Sequence, residues 1–446
     1  MRKSCPSNFG LLGLAALITS PLFFPSAWAQ QPPALSAVHP PQMSLSGSGK
    51  LEPAAALHLA AAIELALSAN PELSAAAREL LAVEGALIQA GVGPNPEISV
   101  LLEDTRDKAA RTTTVQIDQP VELGGKRAAR IALAERERET AAADLAAKRL
   151  EIRANVTGAF FDVLAAQQRV RQAEDLFGLA QRAALAASRR VTAGKISPVE
   201  ETRAKVAEAS VRVEFEQARG ELTVARKRLA ATWGNPSPRF ARAEGRIEVL
   251  PAILSPEEIE KRLQISPALA RARFGADRQA AAAELERTRR FGDVTVSLGS
   301  KRAEELGRNQ TVIGLSVPLP LFDRNRGNVL EATQRAAKAR DELAATEIRL
   351  MTEAAQTHER LKASALEAET LQKEILPGAQ GAYEAASKGF ELGKFSFLEV
   401  LDAQRTFFQA QSRYLQALAE AHRAAAELDR ALGVPAVSSP IDGNRP

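Results

Sequence analysis

Cysteine is nearly absent. Cys5 is the only one in 446 residues, so an internal disulfide, a Cys-x-x-Cys redox pair and cysteine-ligated metal centres are excluded. Aromatic residues are scarce as well, at 4% of a chain that is 45% hydrophobic, and alanine supplies much of the apolar fraction. Alanine is the best helix former and fills little volume, which favours long helices in close contact over a thick globular core. Charge of one sign is also lacking. The 58 basic and 54 acidic residues are interspersed and leave a formal net charge of +4. With no basic stripe to track phosphates, no nucleic-acid partner is expected.

Catalytic and metal-binding patterns are missing too. His39, His58, His358 and His422 stand far apart, and none has a neighbour at metal-ligand spacing. The Gly124-Gly125-Lys126 cluster departs from the phosphate-loop pattern, because Arg127 stands where a hydroxyl residue is needed. It reads as a strand-to-helix turn. With no nucleophile elbow or Ser-His-Asp order in view, the chain is not expected to be an enzyme or to hold a cofactor or resident metal.

What is present begins at the N-terminus. Arg2 and Lys3 precede an apolar run from Phe9 to Phe24, and Ala27-Trp28-Ala29 offers a small-x-small cleavage site, so residues 1–29 read as a secretory signal. Pro21 breaks the run, which is short for a membrane-spanning helix. Residues 30–54, rich in Pro, Ser and Gly, read as an extended tether.

The mature chain then matches itself at an offset of roughly 196 to 199 residues. Asn70-Pro71 corresponds to Ser266-Pro267, Ile98-Ser99-Val100 to Val294-Thr295-Val296, and Gly194-Lys195-Ile196-Ser197 to Gly393-Lys394-Phe395-Ser396. Residues 55–247 form repeat 1 and 248–433 repeat 2, with 434–446 as a flexible tail. Each repeat is predicted to open with two short helices, the second starting at Pro71 or Pro267. Two alternating extended runs follow, over 96–103 and 112–123 in repeat 1 and over 291–299 and 311–321 in repeat 2. From Lys126 to about Val191 no proline intervenes, which predicts a helix on the order of 100 Å long. Its counterpart, from about Gly327 to Phe390, is expected to kink or break at Pro377-Gly378. A sharp turn at Gly194 or Gly393 then sends the chain back into a second helix.

Four strands with one apolar face have the right length to cross a bilayer at a tilt, yet they are too few to close a barrel. In lipid, closure is obligatory because every backbone N–H and C=O must be paired. Copies of the chain must therefore pool strands: a dimer supplies eight and a trimer twelve. The alternative is a soluble periplasmic coiled-coil scaffold carrying two β-hairpins.

The segments AIELALSANPELSAA, QPVELGGKRAAR, LSVPLPLFDRNRG, ILPGAQGAYEAA and GKFSFLEVLDAQRTFFQAQSRYLQALAEAHRAAAELDRALG, in this order, resemble the TolC-like outer-membrane factors of tripartite efflux pumps. The ELGGKR stretch is most similar to their cobalt-zinc-cadmium, or CzcC-like, branch. The resemblance covers essentially the whole mature chain. It implies a mainly α protein with β: a homotrimer whose twelve-stranded outer-membrane barrel, four strands per chain, continues into a long periplasmic α-barrel of helical hairpins. It further implies a periplasmic adaptor and an inner-membrane proton-driven (RND-type) transporter as partners, outer-membrane lipid around the barrel, and efflux of divalent cations such as cobalt, zinc, cadmium or nickel. A drug-efflux or type I protein-secretion channel shares the fold and differs in partner. Several relatives carry a lipidated N-terminal Cys that this chain lacks, which leaves anchorage to the barrel.

Two sets of residues stand out at the hairpin turns. Ser197-Pro198-Val199-Glu200 and Ser396-Phe397-Leu398-Glu399 both fit the Ser-x-x-Glu capping box, and Gly194 and Gly393 suit a left-handed helix end. By resemblance these turns, with Lys195 and Lys394 exposed, are the adaptor-docking tips. Asp402 lies one turn beyond Glu399 on the same helical face and is not needed for capping. By resemblance Glu399 and Asp402 line the periplasmic aperture, where a trimer gathers about six carboxylates that attract cations. Repeat 1 offers Glu200 and Arg203 at the matching positions, so the aperture is expected to be asymmetric in charge, with Arg203 free to pair with an acid and brace a closed state.

Overall fold

Two short helices open each repeat, the second of them led by a proline. The computed structural model describes residues 52–392 and 394–433; the signal segment, the tether up to residue 51, Gly393 and the tail from 434 lie outside them. In repeat 1, strand β1 (Ala56–Leu57) leads into α1 (Leu59–Ala69) and α2 (Pro71–Ala90). Asn70 caps α2 by accepting the Leu73 N–H at 2.9 Å, and Pro71 starts the helix where no N–H is required. After β2 (Glu97–Glu103) and β3 (Thr112–Val121) come α3 (Lys126–Thr192) and α4 (Pro198–Ala231). Gly124 and Gly125, both at positive φ, turn the strand into α3, as read from the sequence.

Repeat 2 follows the same plan. A two-residue strand β4 (Arg242–Ala243), paired in parallel with β1, precedes α5 (Pro256–Gln264) and α6 (Pro267–Thr288). Ser266 takes the place of Asn70 and accepts the Leu269 N–H at 3.3 Å. Strands β5 (Val294–Ala303) and β6 (Arg308–Ser316) lead to α7 (Arg326–Thr370), α8 (Leu376–Glu391) and α9 (Phe397–Leu432).

Three details depart from the sequence reading. The second hairpin is longer at its turn than expected, because Arg302 pairs with Asn309 and Ala303 with Arg308, leaving a turn at 304–307. Charged residues there looked like loop, but side chains at a hairpin tip reach solvent from either face. At its other end β6 stops at Ser316, since Pro318 and Pro320 have no N–H to donate to a ladder. The interruption before Pro377 neither breaks the helix nor falls on the proline. A π-helical turn at Leu371–Ile375 widens the ladder one turn earlier, which accommodates a residue that cannot donate to the carbonyl four positions back.

The four strands form one antiparallel sheet in the order β2-β3-β5-β6. Ile98, Ile117, Leu298 and Ile313 lie opposite one another across all four strands and are 74, 52, 61 and 78% exposed. That apolar row faces solvent in a single chain. The reverse face is polar: the Ser99 hydroxyl donates to Asp118 at 2.9 Å, and the Ser297 hydroxyl and the Gln116 amide converge on the same carboxylate. Among the described residues, strands β2 and β6 are both unpaired along their outer edges.

The helices repeat that order. Next to the sheet, α2 packs on α3, α3 on α6 and α6 on α7; farther away, α4 packs on α3, α3 on α9, and α9 on α7 and α8. Alanines at 173, 180, 184 and 187 are buried along α3 and let its neighbours approach closely. Bulky core residues concentrate midway, where Phe160 and Val163 of α3 meet Leu57, Leu65, Trp233 and Phe240. Glu52 ties this module together. Its carboxylate accepts the N–H groups of Arg239 at 2.6 Å and Phe240 at 3.0 Å and the Asn235 amide at 2.6 Å. No helix among the described residues is long and apolar enough to cross a membrane.

Candidate aperture and docking tips

The two helical hairpins reverse at the end of the molecule far from the sheet. In repeat 1 the turn is built from the last residues of α3. Gly194 adopts φ 71°, its N–H bonds to Val191 O at 2.9 Å, and the Lys195 N–H reaches Arg190 O at 2.9 Å. That five-back bond is the signature of a helix ending in a left-handed residue. Repeat 2 copies it, with the Lys394 N–H bonded to Gly389 O at 2.8 Å. The Phe395 ring lies over Gly389, leaving no room for a Cβ there. Lys195 and Lys394 are both exposed. Gly393 lies outside the described residues.

The caps of α4 and α9 differ. Ser396 and Glu399 form a complete capping box: the Ser396 N–H donates to the Glu399 carboxylate at 2.6 Å, and the Glu399 N–H donates to Ser396 Oγ at 3.4 Å. The matching box in repeat 1 is incomplete. Ser197 Oγ accepts from the Val199 N–H at 3.3 Å, and the Glu200 carboxylate points away from Ser197 to pair with Arg203 at 3.1 Å. An arginine one turn along outcompetes the N-cap N–H for the same carboxylate, a choice that the Ser-x-x-Glu pattern does not encode. Beside it, Lys205 pairs with Glu201 at 2.7 Å; this bond, with a second from Ser188, holds the Glu201 carboxyl below its ordinary range.

The four aperture positions therefore fall into two kinds. Glu200 and Arg203 neutralise one another, and Glu399 is turned back on its own cap. Asp402 is exposed, and among the described residues its carboxylate makes no ion pair or hydrogen bond. No contact joins Glu200 or Arg203 to Glu399 or Asp402 among the hydrogen bonds and ion pairs of the described residues. The two tips meet elsewhere. Arg190 of α3 lies over the Phe390 ring of α8, 4.7 Å from its centroid, above a small apolar patch of Ala184, Ala187, Ala204, Ile196 and Leu401. Sequence reasoning passed over this pair. A signal was available, since both residues sit within one turn of their tip glycine.

The histidines make no metal site. His358 and His422 each place Nε2 2.9 Å from a backbone carbonyl, of Leu254 and Ile247, and His422 stacks on Phe161 with centroids 3.5 Å apart. His58 lies 3.5 Å from Glu244, and His39 is outside the described residues. Among the described residues no group of three or more His, Cys, Asp or Glu is placed to hold a metal ion.

The family model for outer membrane efflux proteins matches residues 62–235 and again 259–434. The chain belongs to the outer membrane efflux protein family. It is 49% identical over 422 residues to the cobalt-zinc-cadmium resistance protein CzcC of Cupriavidus metallidurans, covering 95% of this chain and 98% of that one. The nickel-cobalt-cadmium resistance protein NccC of Alcaligenes xylosoxydans is 27% identical over 304 residues, 67% of this chain and 69% of its own. Among solved structures, CusC superposes with a TM-score of 0.72 at 18% identity, over 84% of this chain and 92% of CusC. VceC of Vibrio cholerae superposes at 0.69 and 20% identity, over 84% and 96%. The duplicated plan of short helices, β-hairpin and long helical hairpin is thus that of an outer-membrane channel, with the helices on the periplasmic side.

Proposed function

We propose that three copies of this chain close into a passive exit duct that carries divalent heavy-metal cations out of the cell. The observation that carries this reading is the sheet with one apolar face and two open edges, β2 and β6. Joining β6 of one copy to β2 of the next satisfies both ladders, and the same step joins the open edges of the helical rows. Three copies give a twelve-stranded barrel whose polar lining includes Asp118, Ser99 and Ser297.

The cargo assignment rests on the 49% identity to a protein named for cobalt, zinc and cadmium resistance. The duct works with a periplasmic adaptor, docked on the tips at Gly194, Lys195, Ser197, Gly393, Lys394 and Ser396, and with an inner-membrane proton-driven transporter that supplies the gradient. Asp402, exposed and with no ion pair among the described residues, is the residue that presents negative charge to a cation at the aperture. Glu399 also carries a negative charge but holds it on its own cap, and the Glu200–Arg203 pair adds no net charge. Deleting the gene and growing cells on cobalt, zinc, cadmium, nickel, copper and silver salts tests the assignment. Sensitivity to the first four, restored by the intact gene, is expected. Unaltered metal tolerance with loss of a secreted protein would move the channel to a secretion system.

A further inference from the structure

Just below the sheet, on the side of the helices, the chain exposes apolar residues that no helix or strand among the described residues covers. The segment that leaves β6 and enters α7 reads Val317-Pro-Leu-Pro-Leu-Phe322. Leu319, Leu321 and Phe322 are 74, 65 and 99% exposed. The segment is shaped to stay out: Pro318 and Pro320 block strand pairing, and the Leu321 N–H closes a tight turn on Leu319 O at 2.8 Å. Phe291, before β5, is 60% exposed at the same level, because Val121, Val294 and the end of β6 are aligned there by strand register.

The next layer away from the sheet is basic. Arg127 opens α3, Arg290 follows α6, and Arg324 and Arg326 flank the start of α7; all four are exposed. The Asn325 amide donates to Glu286 O at 2.8 Å and thereby ties the α7 start to the end of α6. Of the acids at this level, Glu122 is already paired with Arg130 at 2.6 Å, Asp293 with Lys126 at 2.7 Å and Glu286 with Arg289, while among the described residues Asp323 is held only by a backbone N–H, that of Asn325 at 2.8 Å. Arg127 and Arg324 bond only to backbone carbonyls, and Arg290 and Arg326 have no side-chain partner among the described residues.

We propose that this collar, with Leu319, Leu321 and Phe322 as the apolar wedge and Arg290, Arg324 and Arg326 as the cationic rim, docks on anionic phospholipid of the periplasmic leaflet. The inference rests on the outer-membrane reading, from which it takes the orientation of the sheet. Two physical features select lipid as the occupant. The wedge is continuous with the apolar face of the sheet, which lipid must cover. An aromatic side chain followed two and four residues on by arginines, Arg324 and Arg326, matches the order of a membrane interface, with acyl chains next to phosphates. A neighbouring copy would instead have to bury unpaired arginines beside the wedge.

The test uses the mature full-length chain reconstituted with phosphatidylethanolamine and phosphatidylglycerol. Native mass spectrometry is expected to show preferential retention of phosphatidylglycerol, reduced about tenfold or more in the Arg290→Gln/Arg324→Gln/Arg326→Gln variant. Equal retention of the two lipids by both proteins overturns the proposal. Independently, a tryptophan introduced by Phe322→Trp is expected to be quenched by phospholipid brominated high on its acyl chains, with Trp233, buried in the middle module, unaffected. An unquenched signal assigns the wedge to a neighbouring copy and also overturns the proposal. Failure of the wild-type chain to insert and conduct at all would instead remove the membrane reading beneath it.

Discussion

The Arg190 guanidinium lies 4.7 Å from the centre of the Phe390 ring and its Nη1 donates to Phe390 O at 3.5 Å, so that a cation–π contact and a long hydrogen bond help to rest the tip of repeat 1 on the tip of repeat 2. Such a contact in a partly exposed setting is worth about 0.5–1 kcal/mol, enough to bias a closed arrangement and small enough to be overcome by a docking partner. Arg190→Ala is expected to raise single-channel conductance in planar bilayers and leave the melting temperature nearly unchanged. Unchanged conductance would reduce the pair to packing.

Asp402 and Glu399 are separable by experiment because only Glu399 is part of the cap. Asp402→Ala is expected to increase conductance and lower cation-over-anion selectivity, with no cost to stability. Glu399→Ala removes half of a capping box and is expected to destabilise the start of α9 by about 1 kcal/mol, with a smaller change in selectivity. If both variants conduct like the parent, Asp402 is an ordinary solvated residue.

Glu52 gives the middle module a predictable acid limit. Burial alone would raise its pKa, but the hydrogen bonds from Phe240, Arg239, Asn235 and Trp233 outweigh it and hold the carboxyl below the ordinary range. A lowered folded-state pKa means that the stabilisation is complete above the unfolded value and is lost as pH falls through the folded one. Glu52→Ala is therefore expected to lower the melting temperature by roughly 2–4 °C near neutrality, with the difference closing as the solution is acidified below pH 4. A constant difference across pH would show that the charge is immaterial.

Asp429 has the opposite sign. Burial pushes its carboxyl up to about 6, against the opposing pull of Arg153 and Arg262. Its unfolded form ionises lower, so stability falls as pH rises from the ordinary aspartate range to about 6 and stays reduced above that. Asp429→Asn removes the penalty and is expected to raise the melting temperature at pH 7.5 while changing it little at pH 4. Equal gains at the two values would contradict this.

The alanine-rich, proline-free run from Lys126, the Asn70-Pro71 and Ser266-Pro267 helix starts, the Gly124-Gly125 turn and the duplication are all carried by local chemistry. Propensity, capping and backbone freedom act within a few residues, and for that reason they are legible in the sequence alone. So is the period-two alternation of Ile98, Val100 and Leu102, which marks a strand with one apolar face. Tertiary structure alone decided what those pieces are next to. That β3 pairs with β5, leaving β2 and β6 as the open edges, depends on contacts between residues some 180 positions apart, such as Ile117 with Leu298. Likewise Glu200 turns to Arg203 while Glu399 keeps its cap, although both follow a serine at the same spacing. Two donors compete for the carboxylate in repeat 1, the N-cap N–H and the Arg203 guanidinium, whereas repeat 2 has Asp402 in place of the arginine, so the neighbouring side chain and not the Ser-x-x-Glu motif makes the choice.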